Sequence, residues 1–219
     1  AAGVAGKSTA HVVVDQQTMR ESLAEALRHR GYWLLIGGFF VCGFHVTFIM
    51  THLPSYLEDQ GLSTRWASWS MALIGLFNIF GSLICGWLGG RYPKKYVLST
   101  LYLLRAVVIT IFLLVPMSPL SALMFGAGIG VLWLATVPLT TGLVATIFGA
   151  RYLGLLSGVV FFGHQIGAFL GVWWGGYLFD ATGSYDVIWW VAVVLGVIAA
   201  ILHWPIEERL VPRLARQSR

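Results

Sequence analysis

The sequence predicts an all-α membrane protein built as a bundle of six transmembrane helices. Three observations predict it. Of the 219 residues, 58% are hydrophobic and only 11% are charged, against about 25% charged in an ordinary soluble domain. Six apolar stretches are long enough, at roughly 18–25 residues, to cross a bilayer as helices. The basic residues also sort to one side of those stretches. Together these exclude a disordered chain, a disulfide scaffold and a soluble globular domain. No extended alternating pattern suggests a β-barrel. In a soluble protein the net charge of +5 would hint at nucleic acid. Here the bilayer is the partner and no nucleic acid is implied.

Residues 1–30 read as a cytoplasmic linker carrying a short amphipathic helix. Thr18-Met-Arg-Glu21 matches the S/T-x-x-E capping box, and Leu23, Ala24, Ala26 and Leu27 form an apolar stripe behind it. The competing reading is a solvated linker that happens to be helical. Gly6-Lys7-Ser8 resembles the end of a phosphate-binding loop, but Ala1 stands where that loop needs its first glycine. The bundle occupies 31–206, with spans at 32–52, 67–89, 96–116, 120–147, 153–178 and 187–205. Turn or polar residues separate them at 54–65, 90–95, 116–119, 149–151 and 180–186. Residues 207–219 form a basic cytoplasmic tail.

Of the 14 Lys and Arg, Lys7, Arg20, Arg28, Arg30, Arg91, Lys94, Lys95, Arg151, Arg209, Arg213, Arg216 and Arg219 fall on one side of the spans. Arg65 is alone on the other, and Arg105 lies within span three. The positive-inside rule places both ends in the cytoplasm. Cys42 and Cys85 sit inside apolar runs and read as small core residues, not a disulfide.

Ionisable groups in hydrocarbon cost several kcal/mol unless they face protein or water, so each is a functional candidate. At 1.5 Å per residue, Arg105 lies roughly 14 Å into span three. His164 with Gln165 in span five, Asn78 in span two and His45 in span one reach similar depths, and Thr136, Thr140 and Thr141 flank Pro138 in span four. Each has a plainer competing role. Asn78 bonds a neighbouring helix, the threonines return their hydroxyls to carbonyls that Pro138 frees, and His45 is a neutral core histidine. Arg105 has no acidic residue in any span to pair with, so it bonds carbonyls, amides, water or an anion from outside. One fixed cation without a fixed anion favours an anionic ligand, and His45 or His164 is able to carry a proton. The spans contain no nucleophile–base pair, metal cluster or carboxylate pair, so an enzyme is not indicated and no cofactor or metal is implied.

Gly163, Gly167, Gly171 and Gly175 recur every fourth residue, a smooth strip that lets another backbone approach. The ends of spans two and five echo each other, Gly86-x-x-x-Gly90-x-x-Pro93 against Gly176-x-x-x-Asp180-x-x-Gly183. A three-plus-three inverted repeat produces such an echo, and secondary transporters are built that way.

Gly86-Trp-Leu-Gly-Gly-Arg91-Tyr-Pro-Lys94-Lys95 resembles the loop signature of the major facilitator superfamily, G-x-x-x-D-R-x-G-R-R, with Gly90 and Pro93 in place of the Asp and Gly. The run from His45 to Pro54 with Asp59-Gln-Gly61, the run from Phe148 through Arg151 to Gly154, His164-Gln165-Ile-Gly167 and the run from Leu178 through Asp180 to Tyr185 resemble the bacterial monocarboxylate-transporter-like and oxalate–formate antiporter-like members. The resemblance covers residues 20–208. It implies the carboxyl-terminal six-helix half of a twelve-helix fold, beginning in the central cytoplasmic loop. The other half, or a second copy, completes the pathway.

The resemblance further implies a secondary active transporter in the cytoplasmic membrane, moving a small organic anion by alternating access with proton coupling or exchange. It favours His45, Asn78, Thr140, His164 and Gln165 as substrate-binding residues and gives Arg105 a supporting place. Gly86, Arg91, Lys94, Lys95, Arg151 and Asp180 would serve the conformational loops. A non-transporting half or regulatory membrane module is the alternative.

Overall fold

The computed structural model describes residues 17–217. Gly6-Lys7-Ser8, the rest of 1–16 and the last two tail residues lie outside the described residues. Among the described residues the elements are α1 (Met19–Arg28), α2 (Arg30–Asp59), α3 (Thr64–Arg91), α4 (Lys94–Leu114), α5 (Pro119–Val131), α6 (Thr136–Phe148), α7 (Leu153–Thr182), α8 (Asp186–His203) and α9 (Pro212–Gln217), with no strand. Six stretches are long and apolar enough to cross a bilayer: α2, α3, α4, α5 with α6, α7, and α8.

Local chemistry sets the ends. At α1 the Thr18 hydroxyl accepts from the Glu21 N–H at 3.3 Å, and the Glu21 carboxylate accepts from the Thr18 N–H at 2.7 Å. These bonds favour the charged form and hold the Glu21 carboxyl below its ordinary range. The cap is therefore fully formed above the ordinary carboxylate range and is lost as pH falls through the lowered value. Ser118 and Ser121 make a second reciprocal box, with Pro119 inside the first turn of α5. α7 ends at Gly183, whose φ of +68° is a left-handed conformation that a side chain disfavours.

Two boundaries differ from the sequence reading. The first span continues through Pro54 to Asp59. Tyr56 and Leu57 beyond the proline are buried, and Tyr56 packs on Trp189 at 5.3 Å and Phe112 at 5.9 Å. Packing of that extra turn outweighs the local cost of the proline. Span four is not one helix disturbed at Pro138. It leaves the helix earlier, at 132–135, and restarts at Thr136. In an unbroken helix the Pro138 ring would press on the Leu134 carbonyl and leave that carbonyl without a donor. With the break, Pro138 is the third residue of α6, where no intrahelical N–H is missed, and the Leu134 carbonyl accepts from the Val137 N–H at 3.0 Å.

The helices pair as an inverted repeat requires. The dominant packing is α2 on α7, α3 on α5, and α4 on α8. Exchanging spans one, two and three with spans four, five and six turns the first pair into the second and returns the third to itself. Both exchanged pairs use glycine for close backbone approach. A Cβ on Gly167 or Gly171 of α7 would meet the carbonyl oxygens of Phe40 and Phe44 in α2. A Cβ on Gly126 or Gly130 of α5 would meet those of Ser70 and Ile74 in α3.

The interior has two apolar regions. One gathers Tyr32, Leu35, Phe39, Leu98 and Ile147; the other gathers Phe48, Phe112, Phe125 and Trp189. Along α2 the chain passes from the first to the second between Cys42 and Phe44. Much of the outer surface is apolar, with Phe80, Leu83 and Trp87 on α3 and Phe162, Phe169, Trp173 and Tyr177 on α7 all exposed.

α1 and α9 meet at one end of the bundle. Arg213 pairs with Glu25 at 3.4 Å, and the Val211 N–H donates to the Ile147 carbonyl at 2.9 Å. The Tyr152 hydroxyl donates to the Gln17 carbonyl at 2.8 Å. The Lys95 N–H in the first turn of α4 donates to the Glu208 carboxylate at 2.5 Å.

Candidate functional site

Where the two apolar regions meet, α2, α4, α6 and α7 enclose a polar cluster. Its hub is the Cys42 sulfur, completely buried, 3.2 Å from the Thr136 hydroxyl and 3.4 Å from Nη1 of Arg105. His164 of α7 packs on the same stretch of α2, where a Cβ on Gly43 would meet its carbonyl oxygen. The His164 ring is stacked on Phe161 with centroids 5.0 Å apart, lies 4.9 Å from Phe39, and its Nδ1 is 3.1 Å from Gln165 Oε1. Gln165 itself is exposed. The cluster therefore runs from an open face of α7 into the bundle.

Arg105 is 1% exposed, a cation held almost wholly out of solvent. Burying it unpaired would cost several kcal/mol. Its Nε and Nη2 donate to the Leu132 carbonyl at 2.9 and 2.6 Å, and Nη2 also donates to the Trp133 carbonyl. These carbonyls sit just past the C-terminal end of α5, where helical dipoles leave partial negative charge. The break in span four is thus the counter-charge that no carboxylate supplies. The guanidinium also lies over the Tyr102 ring at 5.2 Å.

The same stretch of the break is also held by Asn78, whose Oδ1 accepts from the Leu134 N–H at 3.0 Å. Thr140 is buried one helical turn beyond Thr136, and its hydroxyl has no hydrogen-bond partner among the described residues. His45 is 1% exposed and turned to α8, with Nε2 2.8 Å from the Ala192 carbonyl. Of the six sequence candidates, Arg105, His164 and Gln165 come together around the Cys42 stretch of α2, Asn78 joins Arg105 through the break, and Thr140 shares a helix with Thr136. His45 bonds elsewhere, on α8.

The loop candidates gather differently. Arg91 ends α3 and lies over Trp87 at 4.4 Å; Arg151 lies over Tyr152 at 5.3 Å; Lys94 covers Gly142 with its aliphatic stem. Gly86 and Asp180 are exposed on α3 and α7. Cys42 is the residue that sequence reasoning passed over, as a small core residue. Its position three residues before His45, on the buried side of span one, is the one signal that would have marked it.

The uncharacterized MFS-type transporter YcxA of Bacillus subtilis is 31% identical over 214 residues, covering 90% of this chain and 50% of its own length. Monocarboxylate transporter 12-B of Danio rerio is 26% identical over 172 residues, 74% of this chain and 34% of its own. Multidrug resistance protein MdtG of Proteus mirabilis is 27% identical over 180 residues, 80% of this chain and 44% of its own. The chain thus spans half or less of the length of these curated relatives. The profile of the Major Facilitator Superfamily matches residues 7–135 and 35–218. With six apolar spans in the architecture of a six-helix half, the chain is a multi-pass membrane protein and belongs to the Major Facilitator Superfamily.

Proposed function

We propose that the chain forms one wall of the pathway of a secondary active transporter for a small organic anion of the monocarboxylate kind. Transport proceeds by alternating access, driven by a proton or by exchange. The chain sits in the cytoplasmic membrane with both ends in the cytoplasm, where Lys94, Lys95 and Arg151 anchor the loops. The other wall is an amino-terminal six-helix half or a second copy. The observation that carries this reading is the buried Arg105 guanidinium, bonded to Cys42 on the stretch of α2 that His164 packs against, at a depth where the spans contain no carboxylate. A site with one fixed positive charge attracts an anion and repels a cation. A relative named for monocarboxylate transport supports the same class.

In this reading His164, Gln165 and Thr140 contact the substrate through hydrogen bonds. Arg105 acts through its field from behind Cys42, because it is bonded to Leu132, Trp133 and Cys42. Asn78 and His45 support the helices around them. His164 is the histidine of the cluster, and an imidazole is able to take up and release a proton, so it carries the coupled proton. Gly86, Arg91 and Asp180 take part in the loop movements.

The test is uptake of labelled lactate, pyruvate, formate and oxalate into vesicles containing the natural gene product that carries this chain. Saturable uptake of one of them supports the proposal. Its absence from protein that is folded and inserted contradicts transport and favours a regulatory module.

A further inference from the structure

Span four is broken at 132–135, and the backbone within the break is bonded by two other spans. The carbonyls of Leu132 and Trp133 accept from Arg105 of α4. The N–H of Leu134 donates to Asn78 of α3 at 3.0 Å. In lipid an unsatisfied backbone group costs several kcal/mol, so a helix opens only where other groups take its bonds. Here two side chains, 27 residues apart in sequence, bond the two ends of one peptide unit inside the interruption, the Trp133 carbonyl and the Leu134 N–H.

We propose that Arg105 and Asn78 are positioning residues, a two-sided clasp that fixes the angle between α5 and α6. The same guanidinium reaches Cys42 through Nη1 at 3.4 Å, so one side chain joins the break to the polar cluster. Movement of α6 against α5 then alters the cluster, because Thr136 begins α6 and touches the same sulfur at 3.2 Å. The clasp itself needs no substrate. Its use in turnover rests on the transport reading above.

Two substrate-free measurements test the clasp. In Asn78→Ala the Leu134 amide loses its acceptor, and its hydrogen exchange rises about three- to tenfold. Asn78→Asp keeps an oxygen in place and restores protection. Spin labels at Leu120→Cys and Ala150→Cys bracket the break from exposed positions, while native Cys42 and Cys85 are buried. The label distance distribution is narrow in the otherwise native chain and broadens in Asn78→Ala. It also broadens in Arg105→Lys, whose ammonium has no fork to hold two carbonyls. Unchanged exchange and unchanged width in these variants overturn the clasp.

A third measurement tests the role in turnover. Asn78→Ala lowers kcat about fivefold or more with KM within about twofold, as expected when a conformational step is impaired, and Asn78→Asp recovers it. A broadened distribution with unaltered kcat overturns the positioning role. If the native protein moves no anion, the transport reading fails, and exchange and label distances still decide the clasp.

Discussion

Gly167→Leu leaves the chain unable to form its native bundle. α2 and α7 touch backbone to backbone at this point. A Cβ on Gly167 would meet the Phe40 carbonyl oxygen, with the Phe40 carbonyl carbon 2.8 Å away and the Phe44 nitrogen 3.2 Å away. None of these atoms is the end of a flexible side chain, so relief requires the helices to separate. Separation also stretches the Thr47 hydroxyl from the Ala168 carbonyl, now 2.9 Å apart. Gly167→Ala, with one added carbon, costs about 1–3 kcal/mol as an overpacked site. That lowers the melting midpoint in detergent by about 3–10 °C. Gly158 lies on the same helix with open space around its Cβ position. Gly158→Ala melts within about 2 °C of the native chain, as expected of a surface change. Equal melting of the two alanine variants would contradict the packing described.

His164→Gln abolishes uptake driven by a proton gradient while the bundle stays folded. The imidazole is stacked on Phe161, lies 4.9 Å from the Phe39 ring of α2 and meets Gln165 on the open side. Arg105 and Cys42 are the other ionisable groups of the cluster. A glutamine in this place still donates and accepts hydrogen bonds, but it cannot take up a proton. Gradient-driven uptake falls about tenfold or more, equivalent to at least ~1.4 kcal/mol on the coupled step. Exchange of internal for external anion falls less, since it requires no net proton movement. Gradient-driven uptake persisting in His164→Gln, in protein that melts like the native chain, would remove His164 from the coupling role.

Much of this architecture is written locally in the sequence. The six spans follow from apolar length, the capping box of α1 from Thr18 with Glu21, and the close-packing face of α7 from glycines every fourth residue. Arg105 stands out because a charge in an apolar run is conspicuous. What it bonds is not written locally. Its partners at Leu132 and Trp133 are 27 and 28 residues away, and the break that presents them depends on both Pro138 and Asn78. The proline is visible in the sequence, but its effect appears four residues earlier, because the ring acts on the carbonyl one turn back. Pro54 misleads in the opposite sense, since the burial of Tyr56 and Leu57 carries the helix past it. Cys42 is unreadable alone. Its sulfur is a hub only because Thr136 and Arg105, from two other spans, converge on it.

The central claim is that a buried positive centre without a carboxylate selects an anion. Uptake of labelled lactate in competition with lactamide tests it most directly, because the two differ chiefly in the charge of one group. If the claim holds, unlabelled lactate competes fully and lactamide, at the same concentration, leaves uptake essentially unchanged. Equal competition by lactamide would show that the site reads shape and hydrogen bonds without charge, contradicting the account.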